Sequence, residues 1–358
     1  MEAAVHYGVS ERNKKRKLAA DYQINESLRF PLDELNQDVL EQVLSWLPAS
    51  NFFRYTSVCK RWKSVGNSAT FKLACSQIPS REPWYFMVDS QAQFKNQPIV
   101  FDTAENNWKK LNFPLPLLQE EQRGRSFVPV AASELSIRVY NSSIQQWEEE
   151  TMLKRKHASP ADETEESEDD HAVYFLSKCG NVVSTNLQRS PCKQYSSVIT
   201  QKNGEKFMHF LSSSGTIVAC NLTNKCFFEY PRLLPVYHEY SIDLVECGGD
   251  VYVVLLMEFL ESASLRVWRF DEKDQSWHQI AAMPPAMSHG FYGKRVDINC
   301  AGAGQQILVC LNSAEVCSYF LCHLMVNEWI EVPKYHINGD AKDFICAFTF
   351  EPRIEASV

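Results

Sequence analysis

Between Pro31 and Pro48 the apolar positions fall at Leu32, Leu35, Val39, Leu40, Val43, Leu44 and Leu47. Separations of three, four and one place them along one face of an α-helix. Pro48 stops that helix, because proline has no amide hydrogen to donate and restricts the residue before it. In the next stretch, ASNFFRYTSVCKRWKSV, the residues Phe52, Phe53, Tyr55, Val58, Cys59, Trp62 and Val65 recur at helical spacing, and Gly66 supplies a stop. Phe71 and Leu73 begin a third apolar element. The pattern predicts three short helices over residues 31–76. A core of roughly 40 residues cannot hide this many large side chains. A partner surface is implied, to which each fully buried Leu or Phe would contribute about 1.5 to 3 kcal/mol.

From Trp84 onward the helical period gives way to short apolar runs, among them WYFMV, IVFD, LSIRVY, FMHFL, TIVACN, DVYVVLL, LRVWRF, QILVCL and FICAFTF. They are rich in Val, Ile, Phe and Tyr and broken by Asn, Asp, Gly and Ser, the signature of sheet with tight turns. Six of these segments share a register. Phe101, Tyr140, Thr185, Cys220, Phe270 and Cys322 each end a strand, and an aromatic residue or Cys follows seven positions on, at Trp108, Trp147, Cys192, Phe227, Trp277 and Trp329. The unit reads as a β-hairpin whose returning strand opens with a large ring packed on its neighbour. The intervals between units, 39, 45, 35, 50 and 52 residues, are near the length of a four-stranded propeller blade. Trp108, Trp147, Phe227, Trp277 and Trp329 are then the expected structural positions of the blades. A β-sandwich or an irregular open array is the competing architecture.

The identities in the helical segment narrow its meaning. Leu35, Asn36, Val39, Leu40, Val43, Leu44, Ser45, Leu47, Pro48, Val58, Cys59, Lys60, Trp62 and Val65 follow the run LPxxLLxxILSxLP…VCKxWxxL, so residues 31–73 resemble an F-box. Asn36 stands where that pattern has proline. The resemblance implies that the helices dock on a Skp-type adaptor, and through it on a cullin-RING ubiquitin ligase. The contacts it implies are Leu35, Val39, Leu40, Val43, Leu44, Leu47, Pro48, Phe53, Val58, Cys59 and Trp62. The remainder would hold a protein substrate of unknown identity, and the chain would be no catalyst. From periodicity alone, these helices read equally as an N-terminal cap docked on the following domain.

The segment beyond Ser80 is similar to the kelch-type repeats of plant F-box proteins, with SREPWYFMV at the junction and the double glycine Gly248-Gly249 in ECGGDVYVV. In that family SFVPVAAS is followed by a glycine pair and a further strand, whereas here it runs straight into ELSIRVYN. The expectation is therefore an α+β multidomain chain with a small all-α F-box followed by an all-β kelch-like propeller that lacks a piece, as in a shortened or divergent member. Its expected parts are a disordered basic tail at 1–30, the F-box at 31–76 and the propeller at 80–355, interrupted by a disordered charged loop at 154–171.

Charge changes this picture in places. The net charge of -8 over 358 residues argues against a general nucleic-acid binder. Arg12, Lys14, Lys15, Arg16 and Lys17 are either a solvated tail or a nuclear import signal, and Lys154, Arg155 and Lys156 offer a second such run. The acidic stretch from Asp162 to Asp170 repels itself and buries nothing, so it reads as a loop, with Ser159, Thr164 and Ser167 as candidate phosphorylation sites. The longest apolar run, Val251 to Met257, is far short of the roughly 20 residues that span a bilayer, so no membrane segment is expected. Twelve scattered cysteines without zinc spacing read as free thiols, and the absence of an apolar leader favours nucleus or cytoplasm.

Catalytic motifs are absent from the sequence: there is no G-x-S-x-G elbow, no H-E-x-x-H and no Walker-type lysine. Gly302-Ala303-Gly304 leads into a strand where a dinucleotide site needs a helix, so it reads as a turn. His238 beside Glu239 and His289 before Gly290 could line a pocket, but a lone histidine in a loop or strand reads as structural or merely exposed. No metal or cofactor is expected. Within PPAMSHGFYG at 284–293, Met287, His289, Phe291 and Tyr292 suit a protein-binding surface, although an ordinary loop would look similar. Besides the ligase subunit, two functions stay open: a scaffold protein with a degenerate F-box that never reaches a cullin, for which Asn36 speaks, and a propeller oxidase or hydrolase, which needs an axial cluster the sequence does not display.

Overall fold

The computed structural model describes residues 35–89, 98–111, 125–131, 134–141, 146–147, 151–156, 174–176, 182–184, 198–211, 216–233, 240–259 and 261–355. The chain divides into two compact units, residues 1–81 with 353–358, and residues 82–352. The expected basic tail and most of the expected charged loop lie outside the described residues. Within that loop's span, residues 154 and 155 belong to the strand Thr151–Arg155.

The helical unit has four described helices rather than three: α1 Gln37–Ser45, α2 Ala49–Tyr55, α3 Lys60–Val65 and α4 Ala69–Ser76. The apolar run read as one helix from 49 to 65 is two, and the break has a local cause. Thr56 and Ser57 donate their hydroxyls to the carbonyls of Phe53 and Arg54, at 2.9 and 2.6 Å, a competition with the backbone that favours turns. Cys59 then turns extended, at φ -152°, and its sulfur accepts from the Trp62 amide to start α3. Ser68 caps α4 in the same manner through the Phe71 amide. Leu40, Leu44, Phe52, Val65, Phe71 and Cys75 form the core of this unit, with Phe52 and Phe71 stacked at 4.9 Å.

Among the described residues, the β unit holds three four-stranded antiparallel sheets. In the first, the late strand Phe344–Phe350 pairs with Trp84–Asp89, followed by Ile99–Asp102 and Asn107–Lys110. The second runs Tyr240–Cys247, Asp250–Phe259, Ser262–Asp271 and Ser276–Ala282, and the third Asp297–Ala303, Gln306–Asn312, Cys317–His323 and Glu328–Glu331. A further sheet has eight strands. In it the meander Val198–Lys202, Glu205–Leu211, Ile217–Asn221, Cys226–Glu229 continues into Thr151–Arg155, Glu134–Asn141 and Arg125–Ala131, with Gln146–Trp147 paired on Glu134–Asn141.

This arrangement corrects the expectation of a kelch-like propeller. Among the described residues the sheets are open, and none closes into a barrel or ring. Two predicted units are instead fused, because the edge of Cys226–Glu229 pairs in parallel with Thr151–Arg155 through Cys226 opposite Lys154 and Phe227 opposite Arg155. An exposed edge with unmet amides and carbonyls seeks such a partner, and a parallel pairing between strands far apart in sequence leaves no local pattern to read.

The hairpins follow from their turns. Asp102 accepts from the amides of Ala104 and Glu105, Asn221 from those of Thr223 and Asn224, and Asp271 from that of Lys273, each folding the chain back through its own side chain. Phe101 is the cross-strand partner of Trp108, Tyr140 of Trp147, Cys220 of Phe227, Phe270 of Trp277 and Cys322 of Trp329. The pair Thr185 and Cys192 lies outside the described residues. Trp108 packs edge-on to Phe101 at 5.0 Å and donates its indole hydrogen to the Pro333 carbonyl, while Trp277 packs on Phe270 and donates to Pro231. Phe227 and Trp329 are buried. Gly302 marks a close approach between backbones, since a Cβ there would lie 2.1 Å from the Glu246 carbonyl oxygen. The triplet read as a turn is therefore partly strand, with Gly304 in the turn.

Candidate functional site

Helix α1 carries apolar residues on two of its sides. Its inner side holds Leu40 and Leu44 in the core, with Glu41 and Ser45 buried beside them. On its outer side, Val39, Val43 and Trp46 follow at i, i+4 and i+7 and are 47%, 53% and 63% exposed, so they share a stripe. A helix needs one apolar stripe to pack on its own core. Among the described residues, the second stripe is not covered by its own unit. Phe53 and Val58 add large exposed apolar groups from α2 and the turn after it, at 61% and 67%.

The structure sorts the eleven residues that the F-box resemblance assigns to the adaptor. Val39, Val43, Phe53 and Val58 face outward. Leu40 and Leu44 are core, and Leu47 and Trp62 are partly buried against that core. Leu35, Pro48 and Cys59 are half-buried. Pro48 precedes the first turn of α2 and Cys59 caps α3, so both help to set the backbone there. Trp62 meets Tyr55 edge-on at 6.1 Å. Trp46 is absent from the residues singled out in the sequence, although its position seven after Val39 was the available signal.

Polar contacts tie α1 to the rest of its unit. The carboxylate of Glu41, on α1, accepts from the Gln37 side chain at 2.9 Å and from the Thr70 hydroxyl on α4. Burial pushes its carboxyl up, hydrogen bonds from Thr70, Gln37 and Ser68 pull it down, and the net shift is downward. Arg81 donates to the carbonyls of Leu47 and Ser45 at 2.9 and 2.8 Å, placing a cation on the unmet carbonyls at the end of α1. Arg61 reaches back to the Leu35 carbonyl and to the Gln37 side chain.

In the β unit, the segment at 284–293 is a short helix, Pro285–Ser288, followed by a 3-10 turn, His289–Phe291. Phe291 is buried and meets Phe320 edge-on, and Met287 is half-buried against the same core. His289 and Tyr292 are exposed and stack at 6.2 Å. The structure thus separates the four candidate substrate contacts into two anchors and two outward rings. Asp271, Asp274 and His278 bring ligand atoms within 4.8 Å of one another. The hairpin already engages them: Asp271 accepts from Lys273, and Asp274 accepts from the Ser276 amide and pairs with His278 at 2.7 Å.

Comparison with known proteins bears on the helical unit first: an F-box domain matches residues 32–73. This is the segment with the two-sided helix, and it defines an F-box protein. F-box domains are non-catalytic adaptor modules, in agreement with the expectation that the chain is not an enzyme. F-box only protein 13 of Arabidopsis thaliana is 45% identical, over 92% of this chain and 86% of that protein. F-box only protein 6 of the same plant is 21% identical over 89% of this chain and 73% of its own length. The chain belongs to the family of F-box only proteins represented by F-box only protein 13. An Arabidopsis F-box/kelch-repeat protein is 34% identical over 90 residues, 24% of this chain and 21% of that protein, so the kelch-type likeness is weak and local. The alignment with F-box only protein 13 runs over 399 positions, more than the 358 residues of this chain, so parts of that relative have no counterpart here.

Proposed function

We propose that this chain is the substrate-recruiting subunit of a Skp-cullin-F-box ubiquitin ligase. The helical unit binds a Skp-type adaptor, and through it a cullin-RING ligase, while the β unit holds the protein to be ubiquitylated. The observation that carries the reading is the second apolar stripe of α1, Val39, Val43 and Trp46, on a helix whose other side already fills its own core. Burying such side chains against a partner contributes about 1.5 to 3 kcal/mol each, and the groove of a helical partner is a common place to do so. The mechanism is proximity: a bound substrate presents its lysines to the charged conjugating enzyme at raised effective concentration. The chain would act in the nucleus or the cytoplasm.

The scaffold reading draws on Asn36, which precedes α1 without forming a side-chain cap. Reconstitution separates the two. The ligase reading expects the chain to co-elute with an adaptor-cullin-RING complex on size exclusion, and a chain that co-elutes with adaptor alone, or with neither, supports the scaffold.

A further inference from the structure

A cleft of about 230 Å³ opens in the β unit, where Lys202, Phe207 and His209 face Tyr230, Arg269 and Phe270. It is smaller than the roughly 300 to 1,000 Å³ of sites for cofactors and drug-sized ligands. It suits a side chain.

Aromatic rings wall it. Tyr230 and Phe270 stack at 4.3 Å, and Phe207 stacks on His209 at 6.3 Å. His209 is 4% exposed, its Nδ1 has no hydrogen-bond partner among the described residues, and its Nε2 lies 3.4 Å from the Tyr230 hydroxyl. Burial, with Lys202 adding to it, pushes the imidazole down to about 4, so the ring is neutral at pH 7. Burial also pushes the Tyr230 phenol up, which keeps its proton in place. A neutral imidazole and a phenol bring two polar hydrogens and share one hydrogen bond, so one donor is left over in either tautomer. A donor left unmet in a buried site is costly.

Toward solvent, Lys202 pairs with Glu272 at 3.1 Å and Arg269 with Asp250 at 3.2 Å, all four side chains being about half exposed. Such pairs contribute little and exchange readily. A spare donor inside and exchangeable cations outside favour the same visitor, a hydrogen-bond acceptor that carries negative charge.

We infer that this cleft is a recognition pocket for a carboxylate side chain of the protein held by the β unit, with Lys202 and Arg269 taking the charge and the Tyr230–His209 pair supplying the inner hydrogen bond. The assignment rests on the reading of the β unit as the substrate-holding part. In binding, the incoming carboxylate displaces Glu272 or Asp250 from its cation, and an Asp or Glu beside apolar residues fits the aromatic walls.

The test is a fluorescence-anisotropy titration of the full chain, without adaptor, against a pool of short peptides with a central Glu. The same pool with Gln, and succinate as a competitor, run beside it. Saturable binding of the Glu pool is expected, at least about tenfold tighter than the Gln pool and about tenfold weaker in Lys202→Gln and Tyr230→Phe chains. Thermal melts establish that these variants are folded, and Arg269→Gln replaces either one that is not. Equal affinity for the two pools, affinity unchanged in the variants, or no peptide binding overturns the assignment. Succinate that binds where peptides do not overturns the peptide source and makes this a small-acid site. Since no adaptor is present, failure here leaves the role of the helical unit standing, and failure of adaptor binding leaves this result untouched.

Discussion

The Glu41 carboxylate on the first helix accepts a hydrogen bond from the Thr70 hydroxyl at the start of the fourth, 29 residues away. This bond ties the helix that displays Val39, Val43 and Trp46 to the first turn of α4. The folded-state pKa of Glu41 is lowered, so its contribution is present above the ordinary value of 4.5 and is lost as pH falls through the folded value. Denaturant melts of the helical unit's signal are expected to weaken below that pH. Glu41→Gln should flatten this part of the profile, and Thr70→Val at pH 7 should cost about 1.5 to 3 kcal/mol, the range for a hydrogen bond to a charged group.

The β unit has its own acid window. His209 is buried neutral, with its pKa lowered from 6.5 to about 4. A base that resists protonation in the fold stabilises fully above 6.5, and that contribution drains away as pH falls from 6.5 to about 4. The melting temperature of the β unit should fall across this interval in the native chain and much less in His209→Phe. Proton NMR of the imidazole C–H signals reads the titration directly.

Inner and outer sides of α1 should respond differently. Leu44→Ala removes a core side chain and should cost about 2 to 5 kcal/mol of stability. Val43→Ala removes an exposed one and should change stability by less than about 0.5 kcal/mol. Chemical denaturation of the two variants checks the contrast.

Gly302 and Gly290 form a matched pair of alanine substitutions. At Gly302 the new Cβ would meet the Glu246 carbonyl at 2.1 Å, which no rotamer relieves, so the β unit should lose several kcal/mol or fail to fold. At Gly290 nothing lies within 4 Å, and Gly290→Ala should melt like the native chain.

What the sequence reveals and conceals divides along physical lines. Helix α1 is legible because its apolar spacing has the helical period, and the hairpins are legible because Asp102, Asn221 and Asp271 carry their turn chemistry within three residues. The break at Thr56 to Cys59 was hidden, since apolar spacing continues across it while the hydroxyl bonds that end α2 have no periodicity. The pairing of Cys226 with Lys154 was hidden for a related reason: which edges meet is settled by the assembled sheets. In the candidate site, the sequence offers Val39, Val43, Phe53 and Val58 alongside Leu40 and Leu44, and periodicity does not separate the outward side chains from the core ones. Glu41 was passed over because an acidic residue on an amphipathic helix reads as solvated. His209 carried no motif, and its meaning comes from burial beside Tyr230.

The most direct test of the central claim is a calorimetric titration of a purified Skp-type adaptor into three versions of the full chain: native, Val43→Glu with Phe53→Ala, and Thr70→Val. Circular dichroism on each establishes that it is folded. The account predicts sub-micromolar binding, roughly -8 kcal/mol or better, by the native chain and by Thr70→Val, whose outer stripe is intact, and loss of binding by the double variant. No binding by a folded native chain, or equal binding by all three, would contradict it.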